Sequence, residues 1–471
     1  MPNSYDAVVI GSGPNGLSAA ITLAQNGKSV IVYEAEETIG GGARSAELTL
    51  PSFIHDVCSA VYPLALGSPF FRSLPLADYG LEWIHPPAAL AHPFDDGTTI
   101  HLERSVEATA LMLQPDTERY KNLMGPFVAS WNGLDVDLLG PIHHARNPLN
   151  LARFGLRAIH PARRLAEKCF HGKRARGLFA GLAAHAMLPL EHWGSAAFGL
   201  VLGITGHSVG WPIARGGAQQ VTQALASHLR SLGGEIVPSR RIRTLDELTR
   251  YRVVLCDLTP RQLLELAGER LSRRFRHALL RYRYGMGAFK MDWALSGAVP
   301  WTAKECARAA TVHLGGTLEE IALSERSAWN GEQAEKPFVI LVQPSLFDST
   351  RAPEGKHTLW GYCHVPNGST FDMAPRIEKQ IERFAPGFRE LVIGSSIMPP
   401  SHLENHNANL IGGDINGGAP MLRQLFFRPT VRLYGTSLKG LYICSASTPP
   451  GGGVHGMCGY FAARQVLKEM F

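Results

Sequence analysis

Gly11, Gly13 and Gly16 stand in G-x-G-x-x-G order, and Glu34 follows 18 residues after the third glycine. That spacing fits dinucleotide binding. One glycine makes a tight turn, one lets the backbone approach a pyrophosphate, and one lets a helix pack on a strand, while a carboxylate after the next strand accepts hydrogen bonds from both ribose hydroxyls. Glu34 has no arginine beside it in sequence, which argues against a 2′-phosphate and so against NADP. Two further residues could do chemistry. Lys290 lies in the alternating stretch GMGAFKMDWAL, where the competing reading is an ordinary lysine exposed on an edge strand. His455 lies in TPPGGGVHG and can exchange a proton near neutral pH, where the competing reading is a histidine that only braces the glycine loop.

The elements that must position these residues are legible around them. DAVVI (6–10) reads as a strand, LSAAITLAQNG as the helix it feeds, and SVIVY (29–33) as the strand that delivers Glu34. Val221, Leu225, Leu229 and Leu232 give a second helix one apolar face, followed by the strands GEIVP and RVVLCD. KGLYICSA is a short buried strand, and Gly459 to Phe471 reads as a helix with Ala462, Val466 and Leu467 on one face. The pieces of the nucleotide unit therefore lie far apart in sequence. We expect an α/β chain with a discontinuous Rossmann domain formed by 1–67, 213–284 and 401–471. A second unit of mixed sheet and helices, formed by 68–212 and 285–400, would face the substrate.

These motifs resemble a known group. A second glycine cluster, Gly40 to Gly42, followed by Arg44 and Ser45, is similar to the loop that wraps FAD in glutathione-reductase-like flavoproteins. Residues 7–45, PSFIHDVCSAVYP (51–63) and KGLYICSASTPPGGGVHGMCGYFAA (439–463) together resemble the phytoene-desaturase-like and carotenoid-dehydrogenase-like FAD oxidoreductases of the flavin amine oxidase superfamily. The resemblance implies that Gly11, Gly13, Gly16, Glu34, Gly41 and Arg44 contact FAD, and that Ile242 meets the adenine. It also implies that Ser445, Gly453, Val454 and Gly456 pass close to the ribityl and isoalloxazine. Many members carry a Gly-Asp pair after the last strand; this chain has CSAST, so Ser445 or Ser447 must substitute. Lys290 resembles the amine-oxidase position where a lysine holds a water near flavin N5.

The implied activity is dehydrogenation or desaturation of a lipophilic, isoprenoid-like substrate by hydride transfer to flavin N5, with oxygen or a quinone as final acceptor. An amine oxidase is the alternative within the superfamily, although the sequence shows no pair of aromatics forming a cage. A protein whose FAD serves isomerisation or binding without net turnover is the alternative outside it.

Composition narrows the remainder. Against 40 acidic residues stand 46 Lys and Arg, and the excess is concentrated in Arg153 to Arg176 and Arg270 to Arg283. A nucleic-acid binder would be more basic and would interleave aromatics with its cations, so none is expected, whereas a basic face could meet an anionic membrane surface. Seven cysteines without a C-x-x-C pair argue against a disulfide framework, a metal site and the redox pair of a disulfide reductase. With no leader legible before Ala7, a cytoplasmic location is the default expectation. His192 to Ala214 carries no charged side chain over 23 residues but includes five glycines; it reads as the wall of an apolar cavity rather than a membrane span.

Overall fold

Two sheets with a cavity between them organise the chain, and the computed structural model describes residues 5–141, 145–248 and 251–471. The first sheet has five parallel strands in the spatial order Leu441–Ile443, Tyr251–Cys256, Tyr5–Ile10, Val30–Tyr33, Glu235–Val237. Their near-continuous apolar runs suit strands buried on both faces, which parallel sheets require. On one face lie the helices Pro14–Gln25, Ala218–Ser231 and Met457–Met470, whose Leu17, Ile21, Leu225 and Val466 share a core with Ala7, Val9 and Val253. The last helix rests directly on the first. A Cβ on Gly459 would fall 1.8 Å from the Asn15 carbonyl oxygen, so only glycine permits that approach.

The second sheet has seven strands in the order Val392–Met398, Gly287–Leu295, His357–Val365, Val339–Val342, Ala309–Leu314, Ala88–Pro93, Thr99–Leu102. All neighbours pair antiparallel except Ala309–Leu314 with Ala88–Pro93. Successive side chains alternate between its faces. Val312, Leu341, Cys363, Met291 and Trp293 pack against the helix Ala374–Phe384. Thr311, Ile340, Val342, Trp360, Tyr362 and Lys290 belong to the wall of the cavity instead. Near that wall stand the helices Lys173–Ala184 and Ser195–Ser208.

The uncharged run 192–214 contains the helix Ser195–Ser208, whose Gly199 and Gly203 lie close to Phe179 and Met124. Leu202 and Trp211 from this run line the cavity. Among the described residues no helix is long and apolar enough to cross a membrane. Phe70, Phe71, Leu74, Leu76 and Leu81, which the sequence reading assigned to the second unit, pack instead in the core of the first. The physical reason is the terminal helix. Phe70 packs against Tyr460, their tilted rings 6.0 Å apart between centroids, and fills space beside Gly456.

Candidate functional site: one cavity from glycine loop to apolar wall

The cavity has a volume of about 710 Å³ and runs from Glu34 and Ile242, past Gly13 and Arg44, to Lys290, Trp360 and His185. At the end lined by Glu34, the structure brings Gly11, Gly13, Gly41, Arg44 and Ile242 together in one wall. Gly11 has φ of +101°, reserved in practice for glycine, and a Cβ on Gly13 would lie 2.7 Å from an Asp257 carboxylate oxygen. Gly16 does not line the cavity; its Cβ would fall 2.1 Å from the Gly11 carbonyl oxygen, so it supports the loop from beneath. The Glu34 carboxylate accepts hydrogen bonds from the Ser12 amide (2.9 Å), the Ser12 hydroxyl (2.5 Å) and the Glu36 amide (3.0 Å). That fixes it at the strand end. Asn15 lines the same cradle, and its buried Oδ1 has no protein partner.

Gly41 and Arg44 stand beside this loop. Arg44 Nε donates to the Gly41 carbonyl at 2.8 Å, and Nη2 donates to the His406 carbonyl at 3.0 Å and lies 2.7 Å from His406 Nε2. Burial first, then the charges of Arg44 and Lys290, hold the His406 imidazole down to about 4, so it is neutral and accepts from Arg44. Ser445, Gly453 and Val454 line the cavity, and of the two candidate serines only Ser445 does so. Gly456 does not. It begins the terminal helix at φ +67°, and its carbonyl accepts from the Ser18 hydroxyl.

The absence of an arginine beside Glu34 in sequence is not an absence in space. Arg240, Arg241 and Arg243 line the same end of the cavity, and Arg241 reaches Glu36 at 3.3 Å. The sequence argument against a 2′-phosphate therefore fails in that form, because the arginines arrive from a segment about two hundred positions downstream.

His455 is corrected as a catalytic candidate. It is buried behind the glycine loop and does not line the cavity; Nδ1 accepts from the Met457 amide at 3.0 Å and Nε2 donates to the Gly451 carbonyl at 3.2 Å. Burial pushes its imidazole down to about 4, so it acts as a neutral brace. Asp414 likewise ties a turn, accepting from the Gly285 and Asn416 amides. All seven cysteines are unpaired, and Cys444 and Cys458 are buried.

Lys290 is neither exposed nor on an edge. Its strand runs between His357–Val365 and Val392–Met398, its side chain is 4% exposed, and Nζ donates to Asp292. Nζ also sits 5.5 Å from the Trp360 ring centroid. Behind the pair, His55 Nδ1 lies 3.5 Å from Asp292 Oδ1, and Arg351 bonds Asp56 at 2.8 Å. Burial, followed by the charges of Lys290 and Arg351, lowers His55 to about 3, so it carries no charge. Burial raises Asp292 to about 6 against the opposing charge of Lys290.

Sequence reasoning missed Asp257, Asp292, Trp360, Tyr362, Thr311 and His185. Asp257 follows the strand Tyr251–Cys256, accepts from the Gly16 amide at 3.1 Å and is pushed up to about 7 by burial. A charge two positions from Lys290 in an otherwise apolar strand could have revealed Asp292, since i and i+2 share a face. His185 had no such signal.

A parallel-sheet nucleotide cradle that opens onto a buried lysine and an apolar wall defines a dinucleotide-dependent oxidoreductase. Comparisons agree. Residues 9–74 match the family model described as an NAD(P)-binding Rossmann-like domain. The rat pyridine nucleotide-disulfide oxidoreductase domain-containing protein 2 is 26% identical across 99% of this chain and 94% of its own. Phytoene desaturase (neurosporene-forming) of Rhodobacter capsulatus is 25% identical across 96% and 92%. Putrescine oxidase shares the fold, with a TM-score of 0.63 at 16% identity over 99% of both chains. The chain is thus similar over nearly its whole length to a phytoene desaturase and shares its fold with an oxidase.

Proposed function

We propose that the chain holds FAD along this cavity and dehydrogenates a lipophilic substrate at its apolar end. The observation that carries the reading is continuity: a single cavity joins Glu34, the glycine loop, Gly453 and Lys290 to a wall of Leu202, Trp211, Ile340 and Val342. The backbone N–H groups of the glycine cradle fit the pyrophosphate of that cofactor, and the unpartnered Asn15 Oδ1, an acceptor, fits one of its hydroxyls. Bound there, FAD would supply the two-electron acceptor for a hydride from the substrate, the accompanying proton passing to the medium, with oxygen or a quinone as final acceptor.

The protein's own residues have three tasks. The apolar wall excludes water and orients the substrate, Lys290 presents N–H donors to the reacting region, and Asp292 keeps that ammonium in place. An amine oxidase is less well supported. Trp360 and Tyr362, two positions apart on one strand, stack with centroids 5.8 Å apart and planes at 20°, so they share a wall instead of flanking a substrate. Anaerobic mixing tests the reading. A polyene or other isoprenoid donor should bleach the flavin, whereas bleaching by amines alone would favour an amine oxidase, and bleaching by no donor would favour a protein without net turnover.

An exposed surface fits delivery of such a substrate. Leu149 and Leu156 on the helix Pro148–Ala158 are 80% and 71% exposed, with Arg153 and Arg157 among them. Trp193 is adjoined through the Gly194 amide, which donates to the Ile159 carbonyl at 2.8 Å. Apolar side chains interleaved with arginines suit peripheral contact with an anionic bilayer.

A further inference from the structure

At the end of the cavity away from Glu34, two buried hydrogen-bond donors have no protein partner among the described residues. Thr311 is 2% exposed and its buried hydroxyl has no protein partner; Trp360 lines the same wall and its buried indole N–H has none. Leaving a buried donor unpaired is costly, so such groups point to a ligand that completes them. Thr311, Val342 and Trp360 lie in one register row across three adjacent strands. His313 occupies the next position on the same face as Thr311, and its Nε2 lies 2.9 Å from Nε2 of His185, which lines the cavity.

The hydrogen-bond network fixes which way the proton of His185 points. Both imidazoles are held neutral, His185 down to about 3 by burial first and then by the charge of His364, and His313 well below its ordinary value. One of the two Nε2 atoms must therefore donate to the other. His313 Nδ1 is buried without a partner beneath the helix Lys173–Ala184, where a Cβ on Gly181 would lie 2.8 Å from it. A bare lone pair is tolerated in such a place better than a bare N–H. His313 thus carries its proton on Nε2 and donates to His185. The neighbouring His92 shows the same pattern: Nε2 faces the Gly316 carbonyl at 2.8 Å, which can only accept, and its Nδ1 is left bare. His185, accepting at Nε2, must hold its own proton on Nδ1, which has no protein acceptor among the described residues.

We infer that this end of the cavity recognises a neutral oxygen, a carbonyl or hydroxyl, on the lipophilic substrate through His185 Nδ1–H and the Thr311 hydroxyl. The class is narrower than a hydrocarbon, for which these donors would remain unpaired. It excludes a carboxylate as the preferred group, because Lys290, the cation on this wall among the described residues, is already paired with Asp292. The surrounding Leu202, Trp211 and Ile340 take the carbon skeleton. This inference rests on the lipophilic reading above.

Calorimetric titration of the flavin-loaded protein with farnesol, farnesene and farnesoate tests it without reference to turnover. Farnesol should bind about tenfold or more tightly than either of the others. The preference over farnesene should fall to about one in a His185→Phe, Thr311→Val double variant and return in part in His185→Gln, which restores a donor. The bound flavin's visible spectrum reports that each variant is folded. Equal affinity for farnesol and farnesene, a preference that survives the double variant, or tighter binding of farnesoate overturns the inference and leaves the lipophilic reading standing. Failure of all three to bind overturns the lipophilic reading itself, and the inference with it.

Discussion

Lys290 and Asp292 project from the same face of one fully buried strand, and the ammonium of the first donates to the carboxylate of the second. Neither could be buried alone: an unpaired charge there would cost several kcal/mol, whereas the pair keeps a cation facing the cavity. Lys290→Met should retain the cofactor but slow flavin reduction or reoxidation by about 100-fold or more in stopped-flow measurements. Ordinary rates in both half-reactions would remove Lys290 from the mechanism.

Asp257 makes cofactor binding sensitive to pH. Burial raises its carboxyl from 3.8 to about 7 beside the glycine loop, and an anionic pyrophosphate arriving there raises it further. Binding therefore takes up a proton, so the affinity of the cofactor-free protein for FAD should weaken as pH rises through about 7. The same raised value works against folding of the cofactor-free protein progressively between the unfolded 3.8 and about 7, and by a constant amount above. Titrations of Asp257→Asn should lose the pH dependence of FAD affinity; a slope equal to that of the wild type would contradict this.

His455 holds a loop. Replacing it with alanine leaves the Met457 amide without its acceptor and should lower the denaturation midpoint by an amount equivalent to about 1–3 kcal/mol. The pH profile of flavin reduction should keep its shape. A lost limb in that profile would restore His455 as a proton carrier.

Gly459→Leu should uncouple the terminal helix from the first. The Asn15 carbonyl oxygen stands where even a Cβ would go, so the variant should lose at least about 3 kcal/mol of stability and release cofactor together with it. Wild-type melting and flavin content would contradict the packing.

Leu149→Glu with Leu156→Glu should abolish flotation with phosphatidylglycerol vesicles while the wild type floats with them and not with phosphatidylcholine. A wild type that stays at the bottom of the gradient with both lipids contradicts the membrane face.

What could be read from the sequence follows from how local each signal is. The glycine loop, Glu34 and the strands around them are set by spacing within thirty-four residues, and each lies where those spacings imply. The terminal helix was legible from Ala462, Val466 and Leu467 on one face, whereas the approach of Gly459 to Asn15 was not. His455 was ambiguous since a bracing and a reacting histidine look alike until their hydrogen bonds are seen. Arg240 to Arg243 and Asp257 reach the nucleotide end only through sheet order, which places the strands Glu235–Val237 and Tyr251–Cys256 beside Val30–Tyr33 and Tyr5–Ile10. For Lys290 the competing reading of an edge residue stayed open because strand order in the second sheet, not composition, decides which strand lies inside.

The most direct test of the central claim is the identity of the cofactor that the purified protein releases on denaturation. Chromatography and mass spectrometry should find FAD, one per chain, with reconstitution lost when Gly13 is replaced by a bulky residue. Release of a nicotinamide dinucleotide in its place, or failure of the chain to retain FAD when supplied with it, would contradict the account.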